Sequence, residues 1–196
     1  MKKQHVAGTI VVLVLALIWY VFFDHPSAVQ QPASTPPTSS TVAAPDTNQP
    51  ADVESHWGKR VKTAGCQVNG PFPDPECSPG AIFPNVTRDD ICKSGYARTV
   101  RDVPDSEKND VYEEYGIKTH TTGQYEVDHF ISLELGGSND ISNLFPEAAS
   151  PKPGFHEKDK VENYLHDQVC SGAMTLKQAQ VSISTNWLAV YQSMPK

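Results

Sequence analysis

The pattern of apolar and polar positions changes character twice along the chain. Val6 to Phe23 is an uncharged, almost wholly apolar run of eighteen residues. That is near the length a helix rising about 1.5 Å per residue needs to cross a hydrocarbon layer of roughly 30 Å. The stretch 25–55 is rich in Pro, Ser, Thr, Ala and Gln and has no aromatic residue. It cannot bury enough apolar surface to offset its ordering entropy, so it reads as a disordered linker. From His56 onward apolar residues recur at regular spacing. Three parts follow: 1–24, an N-terminal membrane anchor or uncleaved signal; 25–55, the linker; and 56–196, one folded domain, ample for a single core.

Within the domain the spacing predicts a loop-rich start from Lys62 to Asp102, with turn clusters at Asn69–Pro75 and Ser78–Gly80. Ala97 to Arg101 reads as a short strand. A helix runs from Pro104 to about Tyr115, with Asp105 or Ser106 as N-cap and Gly116 as stop. Tyr125 to Ile131 reads as a strand and Ile141 to Phe145 as a second, with Gly136-Gly137 a turn needing positive φ between them. Phe155, Lys158, Val161, Glu162 and Leu165 fall three to four apart and predict a helix to about Val169, ended by Ser171-Gly172. A last helix runs from Leu176 to about Tyr191 behind Thr175 as N-cap, with Ala179, Ile183 and Trp187 on its apolar face.

Charge and cysteine content sharpen this outline. Lys2 and Lys3 precede the apolar run, which favours a cytoplasmic N-terminus and an extracytoplasmic domain, periplasmic or extracellular. A cleaved signal peptide, giving a secreted protein, is the alternative. Bulky Trp19, Tyr20, Phe22 and Phe23 stand where a small-residue cleavage site would fall. The four cysteines, Cys66, Cys77, Cys92 and Cys170, form no C-x-x-C pair. Outside the cytoplasm an even count predicts two disulfides, with three pairings open. The formal net charge is −7, and from His56 onward 14 basic residues stand against 19 acidic ones. That balance argues against tight, non-specific duplex binding through phosphate neutralisation.

The chemistry concentrates between Tyr125 and His156. An Asp128-His129 pair ends a short strand, Gly136-Gly137 turns the chain, Asn143 lies fourteen positions after the histidine, and His156 opens a helix. A neutral imidazole, with an ordinary pKa of about 6.5, suits a base that activates water near neutral pH. A carboxylate next to it suits a divalent cation. This segment resembles the HNH endonuclease family of ββα-metal nucleases. The runs D-P-E-C-S-P-G-A-I, I-C-K-S-G-Y-A-R-T-V-R, K-D-K-V-E-N-Y-L-H-D-Q-V-C-S-G and A-Q-x-x-I-x-x-N-W extend the likeness to a group of secreted or membrane-anchored bacterial HNH proteins.

The resemblance implies an α+β fold with a ββα-metal core, a disulfide-stapled N-terminal part and two C-terminal helices. It also implies metal-dependent hydrolysis of DNA, and of RNA as an extension. His129 would be the general base and Asn143 the brace of its loop. Asp128 and His156 would hold one divalent metal ion, Mg²⁺ first, with Mn²⁺, Ca²⁺ or Zn²⁺ as alternatives. Arg101 and Lys152 would contact phosphate.

The pattern departs from the family at one point. The gap from Asn143 to His156 is thirteen residues where eight or nine is usual, and Lys152 stands at the usual place. Glu157, Glu162, Asn163 and His166 are alternative ligands. Beside these readings stand plainer ones: Glu147 as a loop acid without a role, Lys158, Asp159 and Glu162 as helix-surface pairs, and Arg101 in a structural ion pair. A non-catalytic envelope binding module on the same scaffold is the rival function, and a small zinc domain using His and Cys is a second.

Overall fold

The computed structural model describes residues 53–196. The apolar run Val6–Phe23 and almost all of the linker lie outside the described residues. Among the described residues no helix is long and apolar enough to cross a membrane. The fold is α+β: one two-stranded antiparallel hairpin, two C-terminal helices and two disulfides.

After a helical turn at 53–56 and a long loop come two short helices, α1 (Arg88–Ile91) and α2 (Tyr96–Val100). Thr87 caps α1 reciprocally with Asp90. The strand expected at Ala97 to Arg101 is therefore helical. Gly95, at φ 76°, turns the chain into α2, and Thr99 Oγ1 donates to the Tyr96 carbonyl at 2.7 Å. The β-branched residues there have no neighbouring strand to complete a ladder, so their propensity yields to context. Helix α3 (Asp105–Glu114) begins after Pro104 without a side-chain cap. Neither Asp105 nor Ser106 is thus the N-cap expected; both sit in the first turn, and Asp105 accepts from Lys108 Nζ at 2.9 Å.

Strand β1 (Tyr125–His129) pairs with β2 (Leu144–Ala148), with His129 opposite Leu144 and Glu126 opposite Glu147. Both strands differ from expectation, the first ending two residues early and the second starting three late. Asn143 causes the first difference. Its side chain takes both the N–H and the C=O of Ile131, which leaves that residue nothing for a ladder. Asp140 causes the second. It accepts from the Ser142 N–H and hydroxyl and winds Ile141–Asn143 into a 3₁₀ turn.

Helix α4 (Phe155–Ser171) follows and stops at Gly172, whose φ is 83°. Helix α5 (Leu176–Ser193) starts from a Thr175–Gln178 capping box and kinks at Asn186. The Asn186 side chain re-caps the chain there by accepting from the Ala189 N–H at 3.1 Å. The core joins Ile91, Ile131 and Leu135 to Val161, Leu165 and Val169 of α4 and to Ala179, Ile183 and Trp187 of α5. Gly136 has the positive φ expected of the turn. Gly137 is required for a different reason: a Cβ there would stand 1.7 Å from the Ile131 carbonyl oxygen.

Of the three pairings open to the cysteines, the structure has Cys66–Cys77 and Cys92–Cys170. The first staples the loop-rich segment around Asp74. This buried carboxylate accepts from Lys62 Nζ at 2.8 Å and from the Gln67 and Glu76 N–H groups, both at 3.0 Å. Burial alone would raise its pKa, but Lys62 and the two amides outweigh that and hold it below the ordinary value. A depressed acid stabilises the fold above its unfolded pKa of about 3.9 and loses that contribution as pH falls through the folded value. Asp74→Asn is therefore expected to cost about 2 kcal/mol at pH 7 and progressively less below pH 4. Urea unfolding of both proteins across that range checks this, and a pH-independent difference would contradict it.

Candidate active site at the end of the hairpin

The hairpin and α4 bring four ionisable side chains together. Residues paired across the ladder share a face, so Asp128 and Glu147 project from the same side of the hairpin. Lys158 comes from the second turn of α4 and Glu162 lies one turn further on. The Lys158 ammonium is fully buried. It donates to Asp128 Oδ2 at 2.8 Å, to the His129 carbonyl at 2.8 Å and to Glu162 Oε1. Glu147 Oε2 stands 3.8 Å from the same nitrogen.

These groups set each other's charge. Burial opposes the charge on Lys158, yet Asp128, Glu162 and Glu147 together raise its pKa well above the ordinary value. Burial would likewise raise Asp128, but Lys158 beside it wins and lowers it. Glu147 goes the other way. Burial pushes it up to about 10 against the pull of Lys158, helped by the neighbouring charges of Asp128 and Glu162. It is a neutral acid at pH 7, and its proton is held in a hydrogen bond between its carboxyl group and that of Asp128. Burial also raises Glu162, to about 7. Glu147 is thus a buried strand residue rather than the loop acid expected. Lys158 and Glu162 form a buried pair rather than a helix-surface one.

His129 ends β1 and is 1 % exposed. Burial lowers its pKa to about 4, with Arg101 and Lys158 adding to the effect and Asp128 and Asn139 opposing it, so the ring is neutral at pH 7. Asn139 sets its tautomer. The Asn139 Nδ2 group donates to the Val100 carbonyl at 2.7 Å, which turns Oδ1 toward His129 Nε2 at 3.1 Å. An amide oxygen only accepts, so Nε2 carries the proton and Nδ1 keeps a lone pair. Nδ1 is buried and has no hydrogen-bond partner.

Asn143, fully buried, makes four hydrogen bonds. Its oxygen accepts from the Ala81 N–H at 3.2 Å and the Ile131 N–H at 2.9 Å. Its amide donates to the Ile131 carbonyl at 3.0 Å and the Ser138 carbonyl at 2.8 Å. These bonds fix the segment from His129 to Asn139.

The remaining sequence-derived candidates sit further out. His156 is exposed at the start of α4, packs on Phe155 with ring centroids 4.3 Å apart, and acts electrostatically on Glu126 and Asp159. Arg101 is exposed at the end of α2, and its charge reaches His129, Glu126 and Asp159. Lys152 is exposed and lies 3.5 Å from Glu157 Oε1, so it faces a carboxylate.

A divalent cation does not fit these residues as they are arranged. Asp128 Oδ2 is taken by Lys158, and Oδ1 accepts from the His129 N–H at 2.8 Å. Among the described residues, the one group of three potential donor atoms within 4.8 Å of one another is Cys92, His166 and Cys170. Its two sulfurs are bonded to each other, which also removes the zinc-domain reading for them. The chain matches no family model, no curated protein and no solved structure.

Asn139, Glu147 and Lys158 were not singled out as site residues from sequence. One signal was present: Lys158 stands in the apolar stripe of its own helix, between Phe155 and Val161, where a solvated lysine does not belong.

Proposed function

We propose that the hairpin–helix centre is a phosphodiester hydrolase acting on nucleic acid, an endonuclease of the HNH kind with a ββα framework. The observation that carries the reading is the state of His129. It is an imidazole kept neutral at physiological pH, with its Nε2 proton pinned by Asn139 and a lone pair left on Nδ1. Such a nitrogen can take a proton from a water attacking phosphorus. The order of strand, Asn-braced turn, strand and helix supports the same reading, as does the run of residues that resembles the HNH motif. Arg101, whose charge reaches His129, is the proposed phosphate contact. The two disulfides fit a site of action outside the cytoplasm, with Val6–Phe23 as the membrane anchor.

The resemblance also implies a divalent ion, and the proposed activity is metal-dependent on that ground alone. Nicking of supercoiled plasmid in Mg²⁺ or Mn²⁺, against the same reaction in chelator, tests both points. His129→Ala is expected to lose at least ~10²-fold in rate. No cleavage by the unaltered protein across several metals would sink the proposal. One observation favours the rival, a non-catalytic binding module on the same scaffold: at 1 % exposure the imidazole admits no substrate in the present conformation.

A further inference from the structure

We propose that the face carrying Val61, Val68 and the cleft beside Phe72 is a membrane-docking surface, and that its partner is the lipid headgroup layer of a bilayer. Among the described residues these two valines are the large apolar side chains left exposed, at 78 % and 45 %. Val61, Phe72, Pro73 and Phe130 line a cleft of about 730 Å³, and Val68 directly precedes Asn69, which lines it too. Exposed apolar side chains gathered at one open cleft mark a contact surface, whereas scattered ones do not.

The segment holds these side chains out by its own bonding. Asn69 and Phe72 exchange both backbone hydrogen bonds, at 2.8 and 3.1 Å. The Cys66–Cys77 disulfide closes the loop around them, and Trp187 Nε1 donates to the Pro71 carbonyl at 3.3 Å. The turn therefore projects as a fixed wedge and cannot fold its apolar tip back onto the core.

Two observations choose lipid as the partner. The first is where the chain enters the domain. Val53 lines the same cleft. Glu54 is pinned to α5 by Lys177, whose ammonium stands 3.2 Å from the Glu54 carboxylate and 4.7 Å from the centre of the Trp57 ring. The inference rests on the proposed reading of Val6–Phe23 as a membrane anchor, since the chain from that run then joins the domain at this face. A linker of the length of 24–52 has a root-mean-square span of roughly 30 Å. That keeps the domain at high effective concentration beside the bilayer. The second observation is charge. Residues 55–73 contain no Asp or Glu, and all 19 acidic residues of the domain lie at or beyond Asp74. Lys59 is exposed there, while Arg60 and Lys62 are paired with Glu114 and Asp74. Anionic headgroups repel nearby carboxylates within a Debye length, so they turn the rest of this acidic domain away and leave this segment to face the lipid. Glu76 is the one acid lining the cleft.

The test puts a fluorophore on the face. All four cysteines are paired, so Val61→Cys in the full chain takes a single environment-sensitive label. Ser171→Cys, exposed at the end of α4, carries the control label. Each protein is reconstituted into vesicles of phosphatidylcholine and phosphatidylglycerol, with and without lipids bearing a nitroxide near the headgroup, and the vesicles are floated. The label at 61 is expected to shift to the blue and to be quenched by the nitroxide lipids, at a depth of about 5–10 Å. The label at 171 is expected to do neither, and Val68→Asp is expected to return the label at 61 toward its emission in water. Chain that floats with its label at 61 as water-exposed as the one at 171 overturns the docking surface and leaves the anchor standing. Chain that fails to float removes the anchor and the docking surface with it. A blue shift without nitroxide quenching means that protein covers the face, a second copy or residues 25–52, and that result also overturns the proposal.

Discussion

Asn143→Ala is expected to destabilise the domain by about 4 kcal/mol or more. The side chain is fully buried and satisfies four backbone groups at once: the N–H of Ala81 and of Ile131, and the C=O of Ile131 and of Ser138. Alanine can satisfy none of them, and no water replaces the amide unless the cavity hydrates. A buried polar group left unpaired costs about 1–3 kcal/mol. Four together reach about 4 kcal/mol or more, against a total stability of about 5–15 kcal/mol for a typical domain. Asn143→Asp keeps the accepting oxygen for Ala81 and Ile131, but sets a carboxylate oxygen against the Ile131 and Ser138 carbonyls. It should fail nearly as badly. Urea unfolding followed by circular dichroism measures both, and a loss below about 1 kcal/mol for Asn143→Ala would mean that the loop holds without its brace.

The same residue shows how far sequence reasoning reaches. The HNH resemblance implied that Asn143 braces its loop, and a primary amide can do so because it both donates to and accepts from backbone groups. Helix ends were legible for a local reason: Thr175 with Gln178, and Gly116 and Gly172 as stops, are decided within four or five residues. What was not legible depended on distant partners. Ala97 to Arg101 has strand-like residues, yet no strand lies beside it to pair with. The second strand begins at Leu144 because Asp140 winds the preceding turn. The pairing of Cys92 with Cys170 spans 78 residues. Above all, the role of Lys158 is set by Asp128 and Glu147, which arrive from a hairpin formed earlier in the chain. A helix periodicity can flag a lysine in an apolar stripe, but it cannot say which acids will meet it.

Lys158→Ala is the second large effect expected, and its pH dependence identifies the cause. Removing one member of a buried charge network costs about 3–5 kcal/mol, because the partners keep the desolvation penalty and lose the attraction. Here Asp128 would lose the neighbour that holds its pKa down, and Glu162 would lose its closest cation. Both carboxyls would then stay protonated in the folded variant while ionising in the unfolded chain near pH 4. An acid whose folded pKa is raised weakens the fold above its unfolded value, by about 1.4 kcal/mol per pH unit until the folded pKa is reached. The deficit of Lys158→Ala should therefore be greatest at pH 7 and shrink steeply as pH falls toward 4. In the unaltered protein the sign is opposite for this cluster's cation. Lys158, raised above its ordinary value, contributes stability below about pH 10 that is lost only as pH climbs through the folded pKa. Urea midpoints at pH 7 and pH 4.5 measure the difference directly. An equal loss at both values would mean that the variant fails through the cavity left by three methylenes and the ammonium, not through the stranded acids, and the ammonium would then be filling space rather than balancing charge.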